Sequence, residues 1–151
     1  MMNKNQKIVV TIEDIGVNGE GIGKVEGYTL FVKDALIGDT VEAVVTKAKK
    51  HYGYAKMLRI IEASPDRVPA KCPVARQCGG CQIQELSYET QLEFKEKKVH
   101  GNLERIGGFS EEVLDEVMEP ICGMEEPFYY RNKAQFPFGT DKNGNVVTGF
   151  Y

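Results

Sequence analysis

Gly16-Val17-Asn18-Gly19-Glu20-Gly21-Ile22-Gly23-Lys24-Val25-Glu26-Gly27-Tyr28-Thr29-Leu30-Phe31-Val32 is the stretch on which the fold turns. Its Gly19-x-Gly21-x-Gly23 spacing superficially matches a nucleotide-binding loop, but such a loop must follow a strand and open a helix. Here the run that comes next, Tyr28 to Val32, is aromatic and β-branched and reads as a strand. The glycine run, with five of the chain's 16 glycines between Gly16 and Gly27, therefore reads as a break in regular structure at a barrel turn.

The neighbouring segments agree with that reading. Lys7 to Ile12 alternates partly and is rich in β-branched residues. Leu36-Ile37-Gly38-Asp39 is turn-like, and Thr40 to Thr46 and Tyr54 to Ile61 are further strands. Closely spaced strands with glycine-rich turns and no long helical pattern predict a small β-barrel over residues 1–63. Ser64-Pro65 and Val68-Pro69 punctuate the chain and set the boundary to a second region, 64–151.

That region opens with a cysteine-rich loop, residues 70–83, which has too few apolar side chains to make a core alone. A structural metal is one way such a segment stays ordered. A helix is predicted next. Ser87 can serve as N-cap, and Glu89 suits the first turn. Tyr88, Leu92, Val99, Leu103 and Ile106 fall near one face, and Gly107-Gly108 ends the helix. An acidic short helix or loop around Val113, Leu114 and Val117 follows. Two strands, Asn132 to Phe138 and Val146 to Tyr151, then flank Asn143-Gly144, a hairpin signal. A lone hairpin is marginal, so its sheet is expected to continue past Tyr151, the plainer alternative being a C-terminal edge strand. The class is α+β: a small barrel, a cysteine loop, one amphipathic helix and the start of a sheet domain.

The 151 residues contain 42% hydrophobic and 27% charged residues, ordinary for a soluble globular protein. No apolar run approaches the roughly 20 residues that span a bilayer. The polar start, Met1 to Lys7, leads straight into Ile8-Val9-Val10 and lacks the features of a signal peptide. A cytoplasmic monomer is expected, with no membrane partner. The net charge of −3 conceals an uneven distribution. Lys47, Lys49, Lys50, Lys56 and Arg59 form a wholly basic stretch, whereas every charged residue from Glu111 to Glu126 is acidic. Salt screens charges beyond about 8–10 Å, so a local basic stripe can still bind phosphate. The acidic stretch reads as a solvated face.

Cys72, Cys78, Cys81 and Cys122 are the four cysteines. In a reducing compartment, close spacing points to metal rather than to disulfides. In Cys72-x5-Cys78-Gly79-Gly80-Cys81, thiolates are soft ligands and the Gly79-Gly80 bend lets Cys78 and Cys81 reach one centre. Zinc usually takes two C-x2–4-C knuckles, and only one is present, so the spacing favours an iron–sulfur cluster over zinc. Cys122 reads as a small buried apolar residue and His100 as a helix-surface histidine without function. Lys49, Lys50, His51, Tyr52, Tyr54 and Lys56 interleave cations with aromatics, the pairing that holds phosphates and stacks bases of single-stranded RNA. Arg131 and Lys133, flanked by Tyr129, Tyr130 and Phe136, are a second candidate RNA contact.

Cys72-Pro73, Cys78-Gly79-Gly80-Cys81-Gln82-Ile83-Gln84, Tyr88, Gln91-Leu92, Lys95 and Tyr130-Arg131-Asn132-Lys133 together resemble the RumA (RlmD-like) 23S rRNA uracil-5 methyltransferases. Gly19-Glu20-Gly21-Ile22-Gly23, Phe31-Val32, Gly38-Asp39 and Ser64-Pro65-Asp66-Arg67 are similar to the TRAM domain of that family. The resemblance covers nearly the whole chain, with its motifs in the family's order. It implies an OB-like TRAM barrel that binds RNA, here 1–63. A [4Fe–4S] region is implied to follow, with Cys72, Cys78 and Cys81 as three ligands. The family's fourth ligand cysteine lies beyond the tyrosine-arginine segment, and Cys122 does not match it. A separate S-adenosylmethionine domain, absent from this chain, carries the catalytic cysteine and base. The resemblance therefore implies a methyltransferase parent and an inactive 1–151, with 23S rRNA as partner. The alternative is a stand-alone, non-enzymatic RNA-binding protein whose tail is stabilised by zinc or an iron–sulfur cluster.

Overall fold

Ile8, Val10 and Ile12 are buried while Lys7, Val9 and Thr11 are exposed, and this period of two sets the inward side of β1 (Lys7–Ile15). The same alternation runs through β3 (Tyr28–Lys33) and β4 (Thr40–Ala48) and begins β5 (Tyr52–Glu62). In this computed structural model, which describes residues 2–76, 78 and 80–149, these strands and β2 (Gly21–Val25) close into a barrel in the order β1-β2-β3-β5-β4. β3 and β5 pair in parallel, and all the other pairs are antiparallel. Closure satisfies the strand edges, which would otherwise offer unpaired backbone groups. The interior is filled by Ile8, Val10, Ile12, Leu30, Val32, Ala35, Val41, Ala43, Val45 and Ala55. Full burial of each larger aliphatic side chain stabilises by about 1.5–3 kcal/mol.

The glycine run departs from its expected role as a break. Gly21 to Val25 forms β2, because the missing side chains let this strand lie close to its neighbours. A Cβ at Gly23 would sit 2.3 Å from the Thr11 carbonyl oxygen and 2.5 Å from Val10 Cγ2. Only the remainder of the run makes turns. β1 also extends three residues past the expected Ile12, through a bulge between Ile12 and Asp14.

The barrel's last strand, β5, ends at Glu62, and the segment that follows docks back onto the barrel. Asp39, 0% exposed, accepts from the backbone N–H of Leu36 at 2.8 Å and of Ser64 at 3.0 Å. Arg67 donates to both its oxygens, Nε at 3.1 Å and Nη2 at 2.6 Å. Arg67 Nη1 then reaches Glu85 at 2.8 Å, and Arg76 reaches the same carboxylate at 3.2 Å. Burial pushes the Asp39 carboxyl up, but the hydrogen bonds from Arg67, Ser64 and Leu36 outweigh it and hold the group below its usual range. A bridge between Arg67 and Leu86 and a bond from Val68 N–H to Glu85 O carry this docking onward. One compact unit accordingly comprises Met1–Leu86 with Phe136–Tyr151, and the other is Ser87–Gln135.

In the second unit, α1 (Tyr88–Arg105) is capped as expected, with Thr90 N–H donating to Ser87 Oγ at 3.3 Å. The predicted apolar face is not a buried stripe. Val99 and Ile106 are exposed, and the buried residue of α1 is Gly101. The partner helix α2 (Glu111–Val117) is short, and Leu114 is its buried residue. Its seven residues make about two turns, too few to cover the full length of such a face.

The hairpin is shorter than expected: β6 (Phe138–Thr140) pairs with β7 (Val146–Thr148). Residues 132–137 are not strand, and Pro137 has no N–H to give a ladder. Asp141 Oδ1 accepts from Asn143 and Asn145 N–H at 2.8 and 2.9 Å and shapes the turn. Phe150 and Tyr151 of the expected last strand, and Gly79 of the expected cysteine bend, lie outside the described residues. Among the described residues, no helix is long and apolar enough to cross a membrane.

Candidate nucleic-acid interface and cysteine loop

With Leu30, Val32 and Ala55 buried in the barrel, their neighbours Phe31, Tyr54 and Lys56 point outward. Register then aligns these side chains across strands. Phe31 lies opposite Ile22 on β2 and Tyr54 on β5, and Tyr54 lies opposite Lys47 on β4. Two residues along, Thr29 is flanked by Lys24 and Tyr52, and two residues the other way Lys33 is opposite Lys56. An aromatic centre thus has lysines on both sides.

The rings touch one another. Phe31 and Tyr54 are stacked with centroids 5.5 Å apart and planes at 30°. Tyr52 meets Phe31 at 5.8 Å and Tyr54 at 5.9 Å, both edge-on. Such pairings contribute beyond the area they bury. The β4–β5 turn that carries Lys49, Lys50 and His51 is fixed by Tyr28. Its hydroxyl lies between the carbonyls of Lys49, at 2.8 Å, and Tyr52, and accepts from Lys49 N–H at 3.1 Å. Lys49 Nζ donates to Tyr52 Oη at 2.9 Å. That bond raises the Lys49 pKa and lowers that of the Tyr52 phenol.

Of the residues singled out in the sequence, Tyr52, Tyr54 and Lys56 share this face, and Lys49, Lys50 and His51 form the exposed turn at its border. Arg131 and Lys133 are exposed but belong to the Ser87–Gln135 unit. Lys47, read in the sequence as part of the basic stripe, also lies on this face, together with Phe31, Lys24 and Lys33, which sequence reasoning passed over. The available signal was the period of two within Tyr28–Lys33, which puts Phe31 and Lys33 on one side.

Cys72 and Cys78 are half-buried, Cys81 and Cys122 are exposed, and all four are free thiols. Exposure corrects the expectation that Cys122 is a buried apolar residue. It sits in a loop whose neighbours are held by polar bonds: Ile121 N–H to Glu96, and Met124 N–H to the Tyr88 hydroxyl, both 2.8 Å. His100, read as a surface residue, is half-buried on α1. In the cysteine loop, Cys72 N–H donates to Gln84 Oε1 at 2.9 Å and Cys78 N–H to Val74 O at 2.8 Å. The donor chemistry suits an iron–sulfur cluster. Among the described residues, no three His, Cys, Asp or Glu side chains gather around a common point.

Residues 3–58 match the TRAM domain family. Across 99% of its length the chain is 50% identical to a protein of Halalkalibacterium halodurans named as an uncharacterized RNA methyltransferase, and the match covers 32% of that protein. A likewise named protein of Gloeobacter violaceus is 44% identical over 98% of the chain and is also covered to 32%. Among solved structures, the Pyrococcus abyssi tRNA (uracil-54, C5)-methyltransferase in complex with S-adenosyl-L-homocysteine shares 32% identity. That match covers 67% of this chain and 22% of that one, with a TM-score of 0.38. The chain spans about a third of the length of the curated relatives it matches.

Proposed function

We propose that this chain is the N-terminal, TRAM-bearing part of a RumA-like RNA methyltransferase and the RNA-binding portion of an S-adenosylmethionine-dependent uracil-C5 enzyme acting on 23S rRNA. The observation that carries the reading is the lysine-flanked aromatic face on the TRAM barrel. Lysines neutralise phosphates and fix the position of the strand, and rings take the faces of bases. On this reading residues 1–151 hold RNA. Methyl transfer belongs to the two thirds of the relatives that the chain does not match.

Lys49 and Lys50 border the face and are exposed. Changing both to glutamate is expected to weaken binding of single-stranded RNA about tenfold at moderate salt. It also makes the log–log salt dependence shallower by about 1.4, the share of two phosphate contacts. Fluorescence anisotropy over a salt series measures both quantities. Unchanged affinity and slope would remove the turn from the interface.

The cofactor is a separate proposal, and nothing in the RNA-binding argument passes through it. Cys72, Cys78 and Cys81 supply three thiolates within one short loop, the ligand type that a [4Fe–4S] cluster takes. Anaerobically purified protein is expected to carry iron with acid-labile sulfide, and Cys78→Ser to lose both. Stoichiometric zinc, or iron retained in Cys78→Ser, contradicts this assignment.

A further inference from the structure

We propose that the outward face of β2, β3 and β5 is a base-stacking site centred on Phe31, selective for unpaired RNA over duplex. The inference rests on the RNA-binding reading above and assigns the site its ligand class. In a duplex the faces of bases are hidden by their neighbours, so an aromatic ring can stack only on a base that is unpaired. Phe31 is half-buried, which fixes its ring, and Tyr54 beside it is 36% exposed at 5.5 Å. Tyr52 stands edge-on to both and walls one side. Its position is set in turn by the Tyr28 hydroxyl and the Lys49 ammonium.

The charges around the rings are arranged for one strand. Lys33 and Lys56 lie opposite each other about 7 Å along the strands from Phe31 and Tyr54, the rise of two residues. Lys24 and Lys47 lie on the flanking strands β2 and β4. Among the described residues, none of these four lysines forms an ion pair. No Asp or Glu occurs in 22–24, 29–33 or 52–56. A protein partner recognised by aromatic packing would not need unpaired cations on both sides of the rings, whereas a phosphodiester strand laid across them does.

The test uses the full chain and a labelled RNA of about 12 nucleotides, within the usual site size for a barrel of this kind, alone and annealed to its complement. The single strand is expected to bind at least about tenfold more tightly than the duplex. Phe31→Leu keeps apolar bulk and removes the ring. It is expected to lower single-strand affinity about tenfold, to leave the salt slope and duplex affinity unchanged, and to retain the wild-type circular dichroism. Phe31→Trp is expected to keep the selectivity. Equal binding of both RNA forms, or wild-type selectivity in Phe31→Leu, overturns the stacking site while RNA binding stands. Failure of wild-type protein to bind either RNA overturns both this site and the RNA-binding reading.

Discussion

Arg67→Ala is expected to destabilise the chain by about 3–5 kcal/mol, the cost of removing one partner from a buried ion pair. Asp39 is fully buried, and two of its four hydrogen bonds come from Arg67, whose side chain is 12% exposed. Without Arg67 the carboxylate keeps only the two backbone donors, and Glu85 loses one of the contacts that tie the cysteine loop to the barrel. The acid limit moves with it. In the wild type the Asp39 carboxyl is held below its usual range, so its stabilisation is present above the unfolded pKa and is lost as pH falls through the lower folded value. In Arg67→Ala, burial is the largest remaining influence and pushes the carboxyl up, so acid unfolding begins at higher pH. Urea titrations across a pH series measure both effects. Arg67→Lys is expected to recover only part of the loss, since an ammonium cannot reproduce the two-point contact. A change under 1 kcal/mol with an unmoved acid midpoint would show that the network does not hold the loop.

Gly23→Val is expected to cost about 3 kcal/mol, the upper end of overpacking penalties, and to disturb the whole sheet. The added Cβ meets a backbone carbonyl, Thr11 O at 2.3 Å, and a core side chain, Val10 Cγ2 at 2.5 Å. Neither is the free end of a flexible side chain. Relief requires β1 and β2 to separate, which breaks the register of Gly23 with Ile12 and exposes the barrel core. Gly23→Ala isolates the effect of the Cβ alone. A melting temperature within a few degrees of wild type for both variants would mean that the β1–β2 approach is looser than described.

Period-two patterning made β1, β3, β4 and β5 legible in the sequence, and the Ser87 cap made α1 so. It failed at β2, where Gly21 and Gly23 carry no hydrophobic signal because their inward positions lie against backbone and core atoms rather than in open space. The exposure of Val99 and Ile106 was also illegible, since helical spacing says which residues share a face but not whether anything covers it. In the candidate site, Tyr52, Tyr54 and Lys56 could be grouped because alternation within one strand keeps them on one side. Phe31 could not be joined to them, because the parallel pairing of β3 with β5 is non-local and leaves no trace in either segment alone. Asp39 and Arg67 are 28 residues apart, and their pairing depends on how the chain turns after β5. The cysteines were the plainest motif, yet spacing alone does not fix where the thiols point.

The central claim, that the barrel's β2–β3–β5 face holds RNA, is tested most directly by mapping backbone amide shifts during titration with single-stranded RNA. The expected perturbations fall at residues 22–24, 29–33 and 47–56, with the largest at Phe31, Tyr52 and Tyr54. Perturbations confined to residues 87–135, or none in these three segments at saturating RNA, would contradict it.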